Sequence, residues 1–421
     1  MADHFEVIVV GAGPAGNSAA LTLAKADLDV LQLERAEYPG AKSGQGSLLW
    51  GPALEQLVPD FRTQAPLERY IVERYVWTLD ETAHTGTRDW TSTSSATSDR
   101  YTVLRAPFDA WFSSVLKGAG VRVSFATTVA EVIREDDGRV IGVRTAGGRE
   151  FYADAVILAE GVESLVARQS GLREDVHPQS VALTVKELRR LPRTLLEERF
   201  KVQGDDGVVF EVAGTFAAGV SGQGFLYTNR ESLSLGVGCL VDDIVKSELT
   251  PSELLTCFKR HPSIRPLLAD SEVVDFSAVL SPEGGYRVRP KLFGEGWLVC
   301  GDAMQPGSPV LREGATLALT SGRLAAETVI ELARHGRPMS ARHLSLYRDK
   351  LERSAILRSL CKAGGGGGSV DEEAQSPDPR RLVRASRALS SDAADGKGRQ
   401  RTLLRQFARG GSREQEFEGA A

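Results

Sequence analysis

"FEVIVVGAGPAGNSAALTLAKADLDVLQLER", residues 5–35, decides the fold class. Its continuous apolar run, Val7 to Val10, reads as a parallel strand covered on both faces. Gly11, Gly13 and Gly16 follow at the dinucleotide spacing. Gly11 permits a tight turn, Gly13 lets the backbone approach a pyrophosphate, and Gly16 allows helix and strand to pack closely. A helix from Ala15 to Ala26 aims its N-terminal amides at the phosphates. The second strand, "DVLQLER", ends in Glu34 and Arg35, with Glu34 at the roughly 20-residue interval where an acid takes ribose hydroxyls. A lone glycine triplet would be weak evidence. Strand, turn, helix, strand and terminal acid in order specify a dinucleotide site.

Two later stretches indicate which dinucleotide. "ADAVILAEGVESLVARQSG" (153–171) supplies another apolar strand, ending in Glu160 and Gly161, with Ser164 and Arg168 at a helix start. "LVCGDAMQPGSPVLREGATLAL" (298–319) supplies a third, ending in Gly301 and Asp302. A simple nicotinamide dehydrogenase needs no such late strand and turn. Converging strand ends would put Glu34 at an adenosine ribose and Asp302 near a ribityl chain. The helix opening at Gly314 could then aim its amides at a flavin's N1 and C2 carbonyl, where they stabilise negative charge. Early and late turns thus serve one molecule, FAD.

The 421 residues favour two packed domains over one small core. A net charge of -5 supplies no basic field for nucleic acid. The four cysteines are far apart with no C-x-x-C pair, so no metal site is signalled and buried thiols in a reducing cytoplasm are expected. No apolar run approaches the roughly 20 residues of a bilayer span, and the N-terminus has no signal-peptide pattern. The expected location is the cytoplasm, or the periphery of the membrane's inner face.

The chain resembles the FAD-dependent oxidoreductases of the geranylgeranyl reductase and aromatic hydroxylase superfamily. Within it, the chain more closely resembles FixC-type proteins, relatives of electron-transfer flavoprotein:quinone oxidoreductase. "VLQLERAEYPGAKSGQG" (30–46), "GFLYTNRESLSLGVGCLV" (224–241), "FKRHPSIRPLL" (258–268) and "SPEGGYRVRPKLFGEGWLVCGDA" (281–303) carry the closer match. The resemblance runs from Phe5 to about Leu360. It implies FAD contacts at Gly11, Gly13, Ala15, Gly16, Glu34, Arg35, Arg105, Val129, Gly161, Gly301, Asp302 and Gly314. Arg105, in "YTVLRAPFDAWFSSVLKGAGV" (101–121), has an alternative reading as a surface partner of Asp109 at i,i+4.

The resemblance also implies electron transfer from an electron-transfer flavoprotein toward a ferredoxin-like protein or membrane quinone. With no fused iron-sulfur module, the cluster would reside on a separate small subunit. Two departures stand out: "MQPGSPV" (304–310) is unusually proline-rich, and after "LYRDKLERSAILRSL" the family pattern stops. A shifted reading frame near Cys361 would also produce such a break, which sequencing the encoding DNA settles.

The expected fold is α/β: a Rossmann-like FAD-binding domain interleaved with an antiparallel-sheet α+β domain and followed by a disordered tail. Residues 1–73, 101–171 and 294–362 are assigned to the FAD domain, 74–100 and 172–293 to a substrate or partner domain. Residues 363–421 begin with a glycine-rich linker and contain no Trp or Tyr, a composition expected to remain disordered. Residues 129–143, split by "EDDGR", read as a hairpin, and 251–261 as a helix. "RTLLRQFAR" could form one basic amphipathic helix, on the surface or at a membrane.

No second glycine fingerprint exists; "GVSGQG" (219–224) has the wrong spacing. That makes a protein electron donor attractive. The alternative is an NAD(P)H-dependent reductase or monooxygenase acting on an isoprenoid or aromatic molecule, since aromatic hydroxylases bind NAD(P)H without such a motif. A third reading is a decayed paralogue that only associates with partners. His84, His177, His261, His335 and His343 read as surface or capping residues, with no metal or triad spacing. "PEGGY" (282–286) suits a quinone-side loop or a tight hairpin equally. Tyr227, Tyr286 and Trp297 could line the ring pocket or pack in the core. No catalytic acid, base or metal ligand is expected.

Overall fold

A computed structural model describes residues 3–41, 46–91, 99–175, 178–217, 220–247, 249–283, 291–304 and 314–354. The tail 363–421, the histidine at 177, the "PEGGY" residues from 284, and positions 305–310 of the proline-rich loop lie outside them.

The first sheet is built on the strand Asp3–Val10, whose Val7, Ile8 and Val9 are wholly buried. It pairs in parallel with Val30–Leu33 on one side and Glu150–Leu158 on the other. Trp297–Val299 extends the row in parallel beyond Glu150–Leu158. Both faces are covered, which is why these strands are continuously apolar. The expected hairpin is present as Val129–Arg134 and Val140–Thr145, antiparallel and attached to Glu150–Leu158.

Helix Pro14–Ala24 ends two residues before the expected boundary, because Lys25 caps it and Asp27 turns into the left-handed region at φ 64°. The late helix Gly314–Arg334 packs against it. Gly322 permits this, since a Cβ there would lie 2.1 Å from the Ala15 carbonyl oxygen.

The second sheet runs through Glu272–Pro282, Val181–Arg190, Ser232–Leu240, Val220–Thr228, Asp206–Ala217, Leu67–Leu79, Arg100–Leu104 and Gly46–Trp50. His84–Trp90 adds a hairpin strand on Leu67–Leu79. All pairings are antiparallel except Asp206–Ala217 with Leu67–Leu79. The expected boundary at 73/74 therefore falls inside a strand, and Gly46–Trp50 and Arg100–Leu104 also belong to this sheet. Helix Pro251–Arg260 covers one face, begun by a Thr250–Glu253 capping box. Its other face carries Leu48, Ile71, Val209 and Tyr227 as a small buried cluster beside Phe225.

Candidate FAD site

Because Val30–Leu33, Asp3–Val10, Glu150–Leu158 and Trp297–Val299 run parallel, their carboxyl ends share one edge, and the sequence motifs gather there. Gly11 follows Asp3–Val10, Glu34 follows Val30–Leu33, Gly161 lies beyond Glu150–Leu158, and Gly301 and Asp302 lie beyond Trp297–Val299. The pairing continues into the turns: Gly11 N–H donates to Leu33 O at 2.8 Å and Cys300 N–H to Leu158 O at 3.0 Å.

The glycines have separable roles. Gly11 has φ 105°, and a Cβ there would sit 2.4 Å from Ala159 O. A Cβ on Gly16 would sit 2.0 Å from Gly11 O. Around Gly13, by contrast, a Cβ would meet nothing within 4 Å. The room lies at the head of Pro14–Ala24, which has no side-chain cap and no acid in its first turn. Its amides are thus available to an anion. Behind the turn, the buried Gln32 amide donates to Gly11 O at 3.1 Å and Asn17 Oδ1 at 3.0 Å.

Glu34 is fixed by two backbone donors, Ala12 N–H and Ala36 N–H, each at 2.8 Å. Its own carbonyl accepts Thr127 N–H at 2.9 Å, and two residues later the buried Val129 begins its strand. Arg35 reaches across the rim to Glu163, 3.1 Å away and two residues past Gly161. Ala15 lies under the late turn, 2.7 Å from where a Cβ on Gly301 would fall; Gly301 itself has φ 69°. Gly314 opens the long helix, whose Thr316 hydroxyl accepts Trp50 N–H at 3.4 Å.

Arg105 starts the helix that leaves the second sheet, and it does pair with Asp109, at 3.0 Å. The pair is not a surface one: Asp109 is buried, and burial raises its carboxyl above the usual range against the pull of Arg105. Asp302 is likewise raised by burial, opposed by the Arg105 and Lys186 cations. Among the described residues its carboxylate has no hydrogen bond or ion pair. A half-buried acid without a hydrogen-bonded partner is a group able to take a polar ligand.

Sequence reasoning passed over two cations. Lys186, on the second sheet, feels the charges of Arg105 and Asp302. Arg173 donates to the Ser164 hydroxyl at 2.6 Å and to the Ala303 carbonyl, clasping two of the turns together; burial lowers it to about 10. The alternation in "VALTVKELRR" could have flagged Lys186, whereas nothing local marks Arg173.

Other candidates are placed elsewhere. Glu160 caps the short helix Leu165–Gln169 through Val166 and Ala167 N–H. Trp297 is core, while Tyr227 is buried in the small cluster on the face of the second sheet away from helix Pro251–Arg260, stacked on Phe225 at 4.7 Å. His84 stacks on Trp77, and His335 and His343 bond near helix ends. Burial pushes the Cys239 and Cys300 thiols up to about 12.

This donor set, open helix amides for an anion and a fixed acid for hydroxyls, matches a dinucleotide. A family model described as "FAD dependent oxidoreductase" matches residues 6–170. Protein FixC of Azorhizobium caulinodans is 51% identical over 365 residues, covering 86% of this chain and 83% of that protein.

The chain belongs to the FixC family.

FixC of Azotobacter vinelandii is 45% identical over 86% of this chain and 84% of that protein. Among solved structures, a geranylgeranyl bacteriochlorophyll reductase-like protein from Thermoplasma acidophilum shares the fold at a TM-score of 0.71 and 18% identity, covering 93% of this chain and 91% of that one. The FixC-family chain is thus an FAD-dependent oxidoreductase. Among the described residues, no helix is long and apolar enough to cross a membrane.

Proposed function

We propose that this chain takes electrons from a reduced electron-transfer flavoprotein and passes them to a ferredoxin-like iron-sulfur protein or a membrane quinone. The observation that carries the reading is identity of 45–51% to FixC proteins over 86% of the chain. Bound FAD supplies the capacity to accept and release electrons. The Gly11–Gly13–Gly16 turn and the Pro14–Ala24 amides hold the pyrophosphate, with Ala15 in that first turn. Glu34 takes the adenosine ribose, flanked by Arg35, Val129 and Gly161. Gly301 and Asp302 serve the ribityl end, and Arg105 and the helix from Gly314 lie toward the ring. Electron transfer of this kind asks the protein to bind, orient and tune, and the charged groups at Arg105 and Asp302 suit that task.

The apolar cluster of Leu48, Ile71, Val209 and Tyr227 favours a second reading, an NAD(P)H-dependent reductase or monooxygenase acting on an isoprenoid or aromatic molecule. Anaerobic mixing separates the two. The oxidised flavin band should persist with NADH and NADPH and bleach with reduced electron-transfer flavoprotein. Rapid bleaching by a nicotinamide alone would overturn the electron-transfer reading in favour of the second.

A further inference from the structure

Lys186 lies in the strand Val181–Arg190, second from the edge of the second sheet. Its sequence neighbours Val185 and Glu187 face the helix side: Val185 is core, and Glu187 bonds Lys259 at 2.5 Å and Arg189 at 2.9 Å. By strand alternation Lys186 points the other way, toward the FAD domain. Its cross-strand neighbours are Gly236 and Ser277. Gly236 is needed there, since a Cβ would lie 2.7 Å from the Phe225 ring. That ring consequently lies across the strand, its centroid 5.8 Å from the Lys186 ammonium.

Two charges from the first domain act on this ammonium, Arg105 against it and Asp302 in its favour. Asp275, beside Leu188 on the edge strand, and the Arg74–Glu211 pair on farther strands occupy the same face. Among the described residues Lys186, like Asp302, makes no hydrogen bond or ion pair. A half-buried ammonium and a half-buried carboxylate, within each other's field and without a hydrogen-bonded partner, bracket the place of a polar ligand. Arg105 and Asp302 are the residues already assigned to the cofactor, so the bracketed place is its ring end.

We propose that Lys186 is a positioning residue, contributed by the second domain, whose positive charge raises the reduction potential of the bound flavin. The inference rests on the FAD assignment but not on the identity of donor or acceptor. Desolvation, then repulsion from Arg105, lowers the Lys186 ammonium to about 8, with Asp302 opposing. Below that pH the charge is present and favours the electron-rich reduced ring. As pH rises through it the charge is lost, and the potential falls more steeply than the flavin's own protonation requires.

The test is a spectroelectrochemical titration of the flavin from pH 6.5 to 9.5 in wild type, Lys186→Met and Lys186→Arg. At neutral pH Lys186→Met should shift the reduction equilibrium by about tenfold toward the oxidised form, ~30 mV for a two-electron couple. The extra slope near pH 8 should vanish in both variants, while Lys186→Arg keeps the higher potential throughout. Loss of flavin from the wild type would sink the underlying FAD assignment. Bound flavin with the same potential and pH slope in all three proteins would overturn the role of Lys186 alone. A thermal melt of each variant checks that the fold is kept.

Discussion

The Ser18 hydroxyl donates to the Leu319 carbonyl at 2.6 Å, joining residues 301 positions apart. With Gly322 against the Ala15 carbonyl, this contact locks the late helix onto the first. It explains how a glycine turn near residue 301 comes to serve the same site as one near residue 11. Gly301 N–H donates to the Ser321 hydroxyl at 2.9 Å, so the late turn is held by the helix that follows it.

The two glycines Gly13 and Gly16 should separate binding from folding. Gly16→Ala drives a methyl into the Gly11 carbonyl and should cost about 1–3 kcal/mol of stability by denaturant unfolding. Gly13→Ala meets open space, so the cofactor-free protein should stay within about 0.5 kcal/mol of wild type. Its FAD affinity should nevertheless fall at least about tenfold, because the methyl occupies the path of the pyrophosphate. Equal FAD affinity in Gly13→Ala and wild type would remove the phosphate from this turn.

Asp302 makes a prediction with a sign. Burial raises its folded-state carboxyl above the ordinary 3.8. As pH climbs past 3.8 the unfolded chain ionises first, so stability of the cofactor-free protein declines until the folded carboxyl also ionises. Asp302→Asn should therefore stabilise that form at pH 7, with the gain disappearing below the unfolded value, while weakening FAD binding. Urea midpoints at pH 3.5 and pH 7 measure this. A variant less stable at pH 7 would show that the carboxylate is structural.

Arg69 tests the second sheet. Its side chain is wholly buried, donating to the carbonyls of Asn229 at 2.6 Å, Asp206 at 2.8 Å, Gly204 at 2.9 Å and Arg230 at 3.1 Å. Arg69→Met orphans these acceptors and should cost about 3–5 kcal/mol. Thermal unfolding should show a large loss, and the flavin spectrum of the remaining folded protein should be unchanged. A loss below 1 kcal/mol would show that the four carbonyls find other partners once the guanidinium is gone.

The site's first half was legible because its chemistry is local. Val7 to Val10, the three glycines and Glu34 lie within 28 residues, and each has one physical reason for its place. The helix at 251–261 and the hairpin around 135–139 were readable for the same reason. Sheet partners were not. Leu67–Leu79 pairs in parallel with Asp206–Ala217, and alternation of side chains says which face a residue takes but not which strand it meets. The second sheet consequently claims Gly46–Trp50 and starts its long strand at Leu67 instead of 74. Lys186 escaped notice on the same ground. Its significance comes from Arg105 and Asp302, which only the tertiary fold brings to it.

The most direct measurement is the flavin content of the purified protein, by visible spectrum and by chromatography of flavin released on denaturation. One FAD per chain, lost in Gly13→Ala and recovered by adding FAD to wild-type apoprotein, is the expected result. A stable, folded protein that carries no flavin and binds none when FAD is supplied would contradict the site built from Gly11, Glu34, Asp302 and their neighbours.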